Sequence, residues 1–259
     1  MGIILYLLVK YILESMTSQL TISENKFLKL FKSYSKIISK ENTLDYSESQ
    51  RYLYYNILKD LAENKKFNLP FKIKQYDKKT KSLKQFEYEH ILFVDNPKLL
   101  DQLFEQIDIE NRRKLGQIFT PQKVAEFMVS LGNSSNGSTI LDPSIGTGIF
   151  TENILNTIEK TSNFKILGFD IDALLLNAAF VRIKLQFPHY GNLVLKNNNF
   201  LEYSGTELYD FVICNPPYLN FHDFDNQKYT ELIEKKFDMK ISKLTNIYSL
   251  FFIASSKFV

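Results

Sequence analysis

Glycine placement is what most constrains the fold of this chain. Of its nine glycines only Gly2 precedes residue 115; the others are Gly116, Gly132, Gly137, Gly146, Gly148, Gly168, Gly191 and Gly205. Glycine serves where a backbone must turn tightly or lie against a ligand. The second half therefore has the turn-rich grammar of an α/β unit, and the first half reads as mainly helical. In the first half Phe27, Leu28, Leu30, Phe31, Tyr34 and Ile37 recur at helical spacing, as do Tyr52, Tyr55, Leu58 and Leu61. Alternation at 71–74, a polar stretch at 77–81 and Phe86-Glu87-Tyr88 suggest a hairpin. Leu99, Leu103 and Ile107 give a last short helix before Arg112-Arg113-Lys114. The division expected is a helical region over 1–110 and an α/β domain over 111–259.

The second half alternates short apolar runs with helical patterns. The runs are 139–141, 164–169, 193–195 and 209–214; the helical patterns are 148–158 and 173–185. This rhythm predicts a parallel sheet with crossover helices. Ligands of such sheets bind at the carboxyl ends of the strands, so the residues just after each run are the candidates for chemistry.

Composition narrows the function classes. One cysteine, Cys214, excludes a disulfide framework, and three scattered histidines (His90, His189, His222) give no zinc cluster, so no metal is expected. No apolar run reaches the roughly 18 residues of a membrane span. The run from Gly2 to Val9 lacks the basic segment and cleavage site of a signal peptide. A cytoplasmic protein without a membrane partner is the expectation. Residues 1–115 hold 20 Lys and Arg against 15 Asp and Glu, whereas 116–259 hold 12 against 14. The first half is the better candidate for a polyanion, with a solvated Lys-rich surface as the even alternative.

Each strand end carries a candidate site. After the first comes Asp142-Pro143-Ser144-Ile145-Gly146-Thr147-Gly148, whose glycines let the backbone pass close to a bound molecule or simply make a strand-to-helix turn. The segment is neither Gly-x-Gly-x-x-Gly nor Gly-Lys-Ser/Thr, which disfavours a dinucleotide or a triphosphate. The second strand ends Asp170-Ile171-Asp172. Asp170 fits a ribose-binding acid and Asp172 a helix N-cap. The third runs into Asn199-Phe200, an amide and a ring that suit an adenine, or a turn followed by a core residue. The fourth ends Asn215-Pro216-Pro217-Tyr218. Two prolines cannot continue a central strand and stiffen the loop. The Asn215 side-chain oxygen and the Pro216 carbonyl can then face one planar amine, with Tyr218 offering a stacking face; a rigid loop is the plain alternative. Upstream, Thr120 as N-cap and Pro121 at the first helical position start a helix with Val124, Phe127, Met128 and Leu131 on one face. That helix start could hold a carboxylate or be purely structural.

In this order the motifs resemble the gamma-class adenine-N6 DNA methyltransferases of restriction-modification systems. Phe119-Thr120-Pro121 comes first, then Asp-Pro-x-x-Gly-x-Gly, the ribose acid, Asn199-Phe200-Leu201 and Asn215-Pro216-Pro217-Tyr218, with Thr245–Phe252 similar to the family's next helix. The resemblance covers residues 112 to about 253. It implies a Rossmann-like sheet, double-stranded DNA as partner and S-adenosylmethionine as cofactor. It also implies roles: Thr120 for the methionine carboxylate, Asp142 and the Pro143–Gly148 backbone for the methionine moiety, and Asp170 for the ribose. Ile171, Asn199 and Phe200 would meet the cofactor adenine. Asn stands at 199 where many members have Asp, and Ser144 and Ile145 replace the more frequent Ala and Cys.

The implied chemistry is methyl transfer to an adenine flipped out of the duplex. Asn215 and the Pro216 carbonyl would accept from the target amine, and Tyr218 would stack on the base. The family's sheet has seven strands and four are readable here. The expectation is an incomplete catalytic domain, completed by a downstream polypeptide or specificity subunit, with Ile247, Leu250, Phe251 and Ile253 lacking partners. Alternatives are a methyltransferase acting on protein glutamine or RNA, and a non-catalytic module that binds DNA or a subunit.

Overall fold

A computed structural model describes residues 22–42, 44–77, 86–107, 109–132, 137–157 and 163–259. The Gly2–Val9 run and the tip of the expected hairpin lie outside the described residues. The first half is helical: α1 (Ile22–Asn42), α2 (Tyr46–Asn64), α3 (Ile91–Asp95), α4 (Leu99–Phe104) and α5 (Ile109–Lys114). Asp45 caps α2 by accepting from the Glu48 N–H at 2.8 Å. Then follow α6 (Gln122–Ser130), β1 (Thr139–Asp142), α7 (Ile149–Asn156), β2 (Lys165–Asp170), α8 (Ala173–Gln186), β3 (Leu193–Asn197), β4 (Phe211–Val212), α9 (Asn226–Phe237) and α10 (Ile247–Ser255).

The four strands form one parallel sheet in the order β3-β2-β1-β4. The run Ile166–Phe169 on β2 is buried throughout, because a parallel strand between crossover helices is covered on both faces. Alternation still sorts the strands. Ile140 and Ile166 pack with Phe150, Ile154 and Ile183 on one face; Leu141, Leu167 and Phe169 pack with Phe200, Leu250 and Phe251 on the other.

Helix α8 joins the two halves. Leu174, Leu175, Ala178 and Val181 share a core with Phe27, Phe31, Tyr54, Leu58 and Phe104 of the helical region. Ile183, from the same helix, packs on the sheet. A helix covered on two sides is apolar nearly all round, and α8 is. At its centre Arg182 is fully buried and binds both Asp101 of α4 and Glu152 of α7. This charged junction fixes three helices together.

Four expectations are corrected. No hairpin strand forms among the described residues of 71–89; 74–76 is a short 3₁₀ turn. The Phe71 N–H and C=O instead bond the Asn177 side chain of α8 at 3.1 and 2.8 Å, so a side chain takes the place of a paired strand. Helix α6 starts one residue later than expected. Pro121 is its cap with extended ψ, and no side chain caps it. It buries Ala125 and Val129, in one core with Phe150 and Ile154 of α7, rather than Phe127 and Leu131, which are 56% and 70% exposed. Finally, Ile247, Leu250 and Phe251 are buried against the Phe200 and Phe258 side of the sheet, with Ile253 packed at the edge. The exposed face of α10 is Tyr248 and Phe252.

Candidate active site

The carboxyl ends of β1, β2, β3 and β4 meet around one cavity of about 290 Å³. Pro143, Ser144 and Gly146 line it from the β1 turn, and Asp170 and Ile171 from β2. Asn198, Asn199 and Phe200 close it from β3, and Asn215, Pro216 and Pro217 from β4. Lys114, Gly116 and Gln117 enter from the segment ahead of α6. The cavity thus gathers most of the residues singled out in the sequence. Asp142, Gly148, Thr120 and Tyr218 stand behind it or at its margin.

The glycines of the β1 turn have separate jobs. Gly146 has φ of +54°, and a Cβ there would meet no protein atom within 4 Å, so its backbone faces open space. Its N–H donates to Asp170 Oδ2 at 3.2 Å. Gly148 has φ of +81° and caps α7, and a Cβ there would press on Ala179 of α8 at 3.2 Å. One glycine opens the cavity and the other lets two helices close on each other.

Two carboxyls end the strands β1 and β2. Asp142 is 1% exposed; its Oδ1 accepts from the Ser144 N–H at 3.1 Å, while Oδ2 has no partner. Burial pushes its carboxyl up to about 8. Asp170 accepts from the N–H groups of Asp172 and Gly146, yet loss of water holds it at about 7. An orphaned carboxylate oxygen in the interior is a strong acceptor waiting for a cation or a donor.

The β4 loop is held from two directions. The Asn215 Nδ2 donates to Thr120 Oγ1 at 3.0 Å and to the Ile118 carbonyl at 3.4 Å. With its nitrogen engaged, the carboxamide keeps its oxygen as a free acceptor. Ser144 Oγ donates to the Asn215 carbonyl at 3.0 Å, tying the β4 loop to the β1 turn. The Tyr218 N–H donates to Gly116 O at 2.9 Å. Gly116 has φ of +63°, and a Cβ there would lie 2.7 Å from Tyr218 N. Gly116 and the Ser144 hydroxyl are site features that sequence reasoning missed. The signal for Gly116 was its place just ahead of Phe119-Thr120-Pro121; Ser144 carried none, since its partner is 71 positions away.

Asn199 caps the turn after β3 by accepting from Leu201 N–H at 3.0 Å, and its Nδ2 donates to the Tyr229 hydroxyl of α9 at 2.8 Å. Phe200 is 2% exposed and packs on Phe169, Phe251 and Phe258, so it is chiefly core with an edge at the cavity. Tyr218 is 53% exposed, with its ring 6.0 Å from that of Tyr248. Cys214, just behind the loop, is pushed up to about 12 by burial and by Asp142, which keeps its thiol protonated.

Such a sheet, with acids after β1 and β2 and Asn-Pro-Pro-Tyr after β4, defines a methyltransferase fold. Residues 97–246 match the model of the N-6 DNA Methylase family, and the chain belongs to that family of S-adenosylmethionine-dependent enzymes. It is 33% identical over 169 residues to the Type II methyltransferase M.AccI of Acinetobacter calcoaceticus, a match covering 64% of this chain and 29% of that protein. The chain thus spans under a third of that relative's length. Over 88 residues it is 35% identical to a tRNA1(Val) (adenine(37)-N6)-methyltransferase of Aliivibrio fischeri, covering 34% of this chain and 36% of that protein. A Listeria monocytogenes structure described as a class I S-adenosylmethionine-dependent methyltransferase superposes with TM-score 0.58 at 18% identity, covering 92% of this chain and 70% of that one.

The residues present fit the cofactor. S-adenosylmethionine carries two cations, a sulfonium and an ammonium; the Asp170 carboxyl lines the cavity, and the unpartnered Asp142 oxygen lies buried at the end of the neighbouring strand. Gly146 leaves its backbone uncovered beside them.

Proposed function

We propose that this chain carries the catalytic site of a cytoplasmic DNA adenine-N6 methyltransferase of a restriction-modification system, acting on an adenine flipped out of duplex DNA. Residues 111–259 carry the catalytic part, and the described helices α1, α2 and α4 back it through α8. The observation that carries the reading is the fixed direction of the Asn215 carboxamide. Its nitrogen is spent on Thr120 and Ile118, so its oxygen is the acceptor offered to the cavity.

The target amine is a weak nucleophile because its lone pair is delocalised into the ring. The Asn215 oxygen and the Pro216 carbonyl accept its two N–H groups and favour a pyramidal nitrogen, which localises the pair for attack. The rigid double proline holds both acceptors without rotational freedom. S-adenosylmethionine, when bound, supplies an electrophilic methyl group already activated by the sulfonium charge. Thr120, Asp142 and the backbone of the β1 turn would hold the methionine end, Asp170 would accept from the ribose hydroxyls, and Ile171, Asn199 and Phe200 would meet the adenine. Tyr218, exposed at the mouth, stacks on the flipped base, an interaction worth about 1–3 kcal/mol. Orienting the two reactants supplies the main rate gain, about 7–11 kcal/mol in well-aligned cases.

The test is nucleoside mass spectrometry after incubation with S-adenosylmethionine and duplex DNA, single-stranded DNA or transfer RNA. The reading expects N6-methyladenine in DNA. The same product confined to transfer RNA would move the substrate to the class named for the Aliivibrio relative.

A further inference from the structure

Helix α2 reaches the cavity wall through a chain of hydrogen bonds. Arg51 of α2 sends Nη2 to both carboxylate oxygens of Asp172, at 2.8 and 3.0 Å. The pair is largely buried, with side chains 15% and 9% exposed. The Asp172 N–H donates to Asp170 Oδ1 at 2.8 Å, and the Asp172 carboxylate also caps α8 through the Leu174 N–H at 2.9 Å. Neither Arg51 nor Asp172 lines the cavity; Asp170 does.

We propose that Arg51 is a positioning residue for the cofactor ribose: by pinning and neutralising Asp172 it sets the direction and charge state of Asp170. The inference rests on the reading above, in which Asp170 takes the ribose. A cation suits the task, because a single nitrogen, Nη2, reaches both Asp172 oxygens and counters their charge. Without Arg51, the Asp172 carboxylate would stand two residues from Asp170 with no counter-ion and oppose its ionisation. The other groups around Asp170 are Asp142 of β1, which acts in the same sense as Asp172, and Lys114 across the cavity. Lys196 of β3 lies over the Phe169 and Tyr203 rings, 5.6 and 4.5 Å from their centroids. Around Arg51 itself stand Tyr76, whose hydroxyl donates to Glu48 at 2.7 Å, and the Phe104 ring at 6.0 Å. A purely structural tie between α2 and α8 would weaken with either partner's loss in the same direction. The positioning role gives opposite signs: removing Arg51 makes Asp170 harder to ionise, and removing the Asp172 charge makes it easier.

The experiment is a carbon-13 titration of the Asp170 carboxyl in the full chain without cofactor, assigned with Asp170→Asn. Arg51→Met should raise its midpoint by about 0.5–1 pH unit and Asp172→Asn should lower it, with Arg51→Lys close to the parent. Asn remains a good N-cap, so Asp172→Asn keeps α8 and the test stands even if Arg51→Met fails to fold. Calorimetry at about pH 7 should show S-adenosylmethionine bound about three- to tenfold more weakly by Arg51→Met, the loss vanishing towards about pH 9. Midpoints that do not move, or move in the same direction in both variants, overturn the inference. Cofactor binding with the expected shifts but no adenine methylation would sink the functional reading and leave Arg51 its role. Failure of the parent chain to bind the cofactor would overturn both.

Discussion

The Asn215 Nδ2 donates to the Thr120 hydroxyl oxygen at 3.0 Å, joining two motifs 95 positions apart in the chain. The contact decides which end of a symmetric-looking amide faces the cavity. Thr120 keeps its own hydroxyl proton for donation to a second partner, so one side chain can serve the cofactor carboxylate and the acceptor geometry together.

Thr120→Val removes the shorter of the two contacts on the Asn215 amide nitrogen and leaves only the Ile118 carbonyl at 3.4 Å. Turnover should fall about tenfold, a loss of roughly one hydrogen bond's worth of orientation, with a smaller change in cofactor affinity. Thr120→Ser should retain both. Single-turnover kinetics alongside calorimetry separate the terms; a loss in affinity alone would show that Thr120 serves only the cofactor.

Gly116→Ala joins a positive φ to a collision with the Tyr218 backbone. The variant should stay folded, since Gly116 lies in a loop outside the three cores. It should displace Tyr218 and lose most base-dependent activity. Intact thermal melting with unchanged methylation would contradict the assignment of this glycine to the loop contact.

Asp142 and Asp170 set a pH dependence of defined sign. Their folded values, about 8 and about 7, lie above the ordinary carboxylate value near 3.8, so the folded chain holds these protons more tightly than the unfolded chain. The stability they contribute is present below that ordinary value and is lost as pH rises through about 7 to 8. A cationic cofactor favours the ionised forms, so its binding should release protons near neutral pH and tighten as pH rises. Calorimetry in buffers of different ionisation enthalpy reads the proton count. Proton uptake on binding would contradict the assignment.

Arg182→Met would leave Asp101 and Glu152 without their shared cation in the interior. Breaking a buried pair from one side costs about 3–5 kcal/mol, and here two carboxylates are stranded. Urea unfolding should show a loss of at least that order. Gly168→Ala should cost about 1–3 kcal/mol, because its Cβ would lie 2.4 Å from Cδ1 and 3.0 Å from Cβ of the buried Ile145, which must shift as a whole.

The sheet and its site were legible because their signals are local. A buried parallel strand is an apolar run, and a strand end that binds something carries glycine, proline or a carboxylate at once. Asp172 as cap, the α8 pattern and the gathering of Asp170 and Asn215 around one cavity follow from that. Long-range side-chain choices were not legible. Nothing near Phe71 reveals that Asn177 takes its backbone groups, so alternation there imitates a strand. Arg51 sits in a helix whose period places it beside the core stripe, and its partner lies 121 positions away. On α6 the larger residues marked the apolar face, but the buried positions are Ala125 and Val129. On α10 apolarity all round concealed which side the Phe200 cluster would cover.

Methyl transfer onto duplex DNA tests the central claim most directly. The protein, together with any subunit that co-purifies with it, is incubated with S-adenosylmethionine labelled at the methyl group and unmodified duplex DNA, and the nucleosides are resolved. The account predicts label in N6-methyladenine, abolished by Asn215→Ala while that variant still binds the cofactor. Label that persists in Asn215→Ala, or that appears on another base, would contradict it.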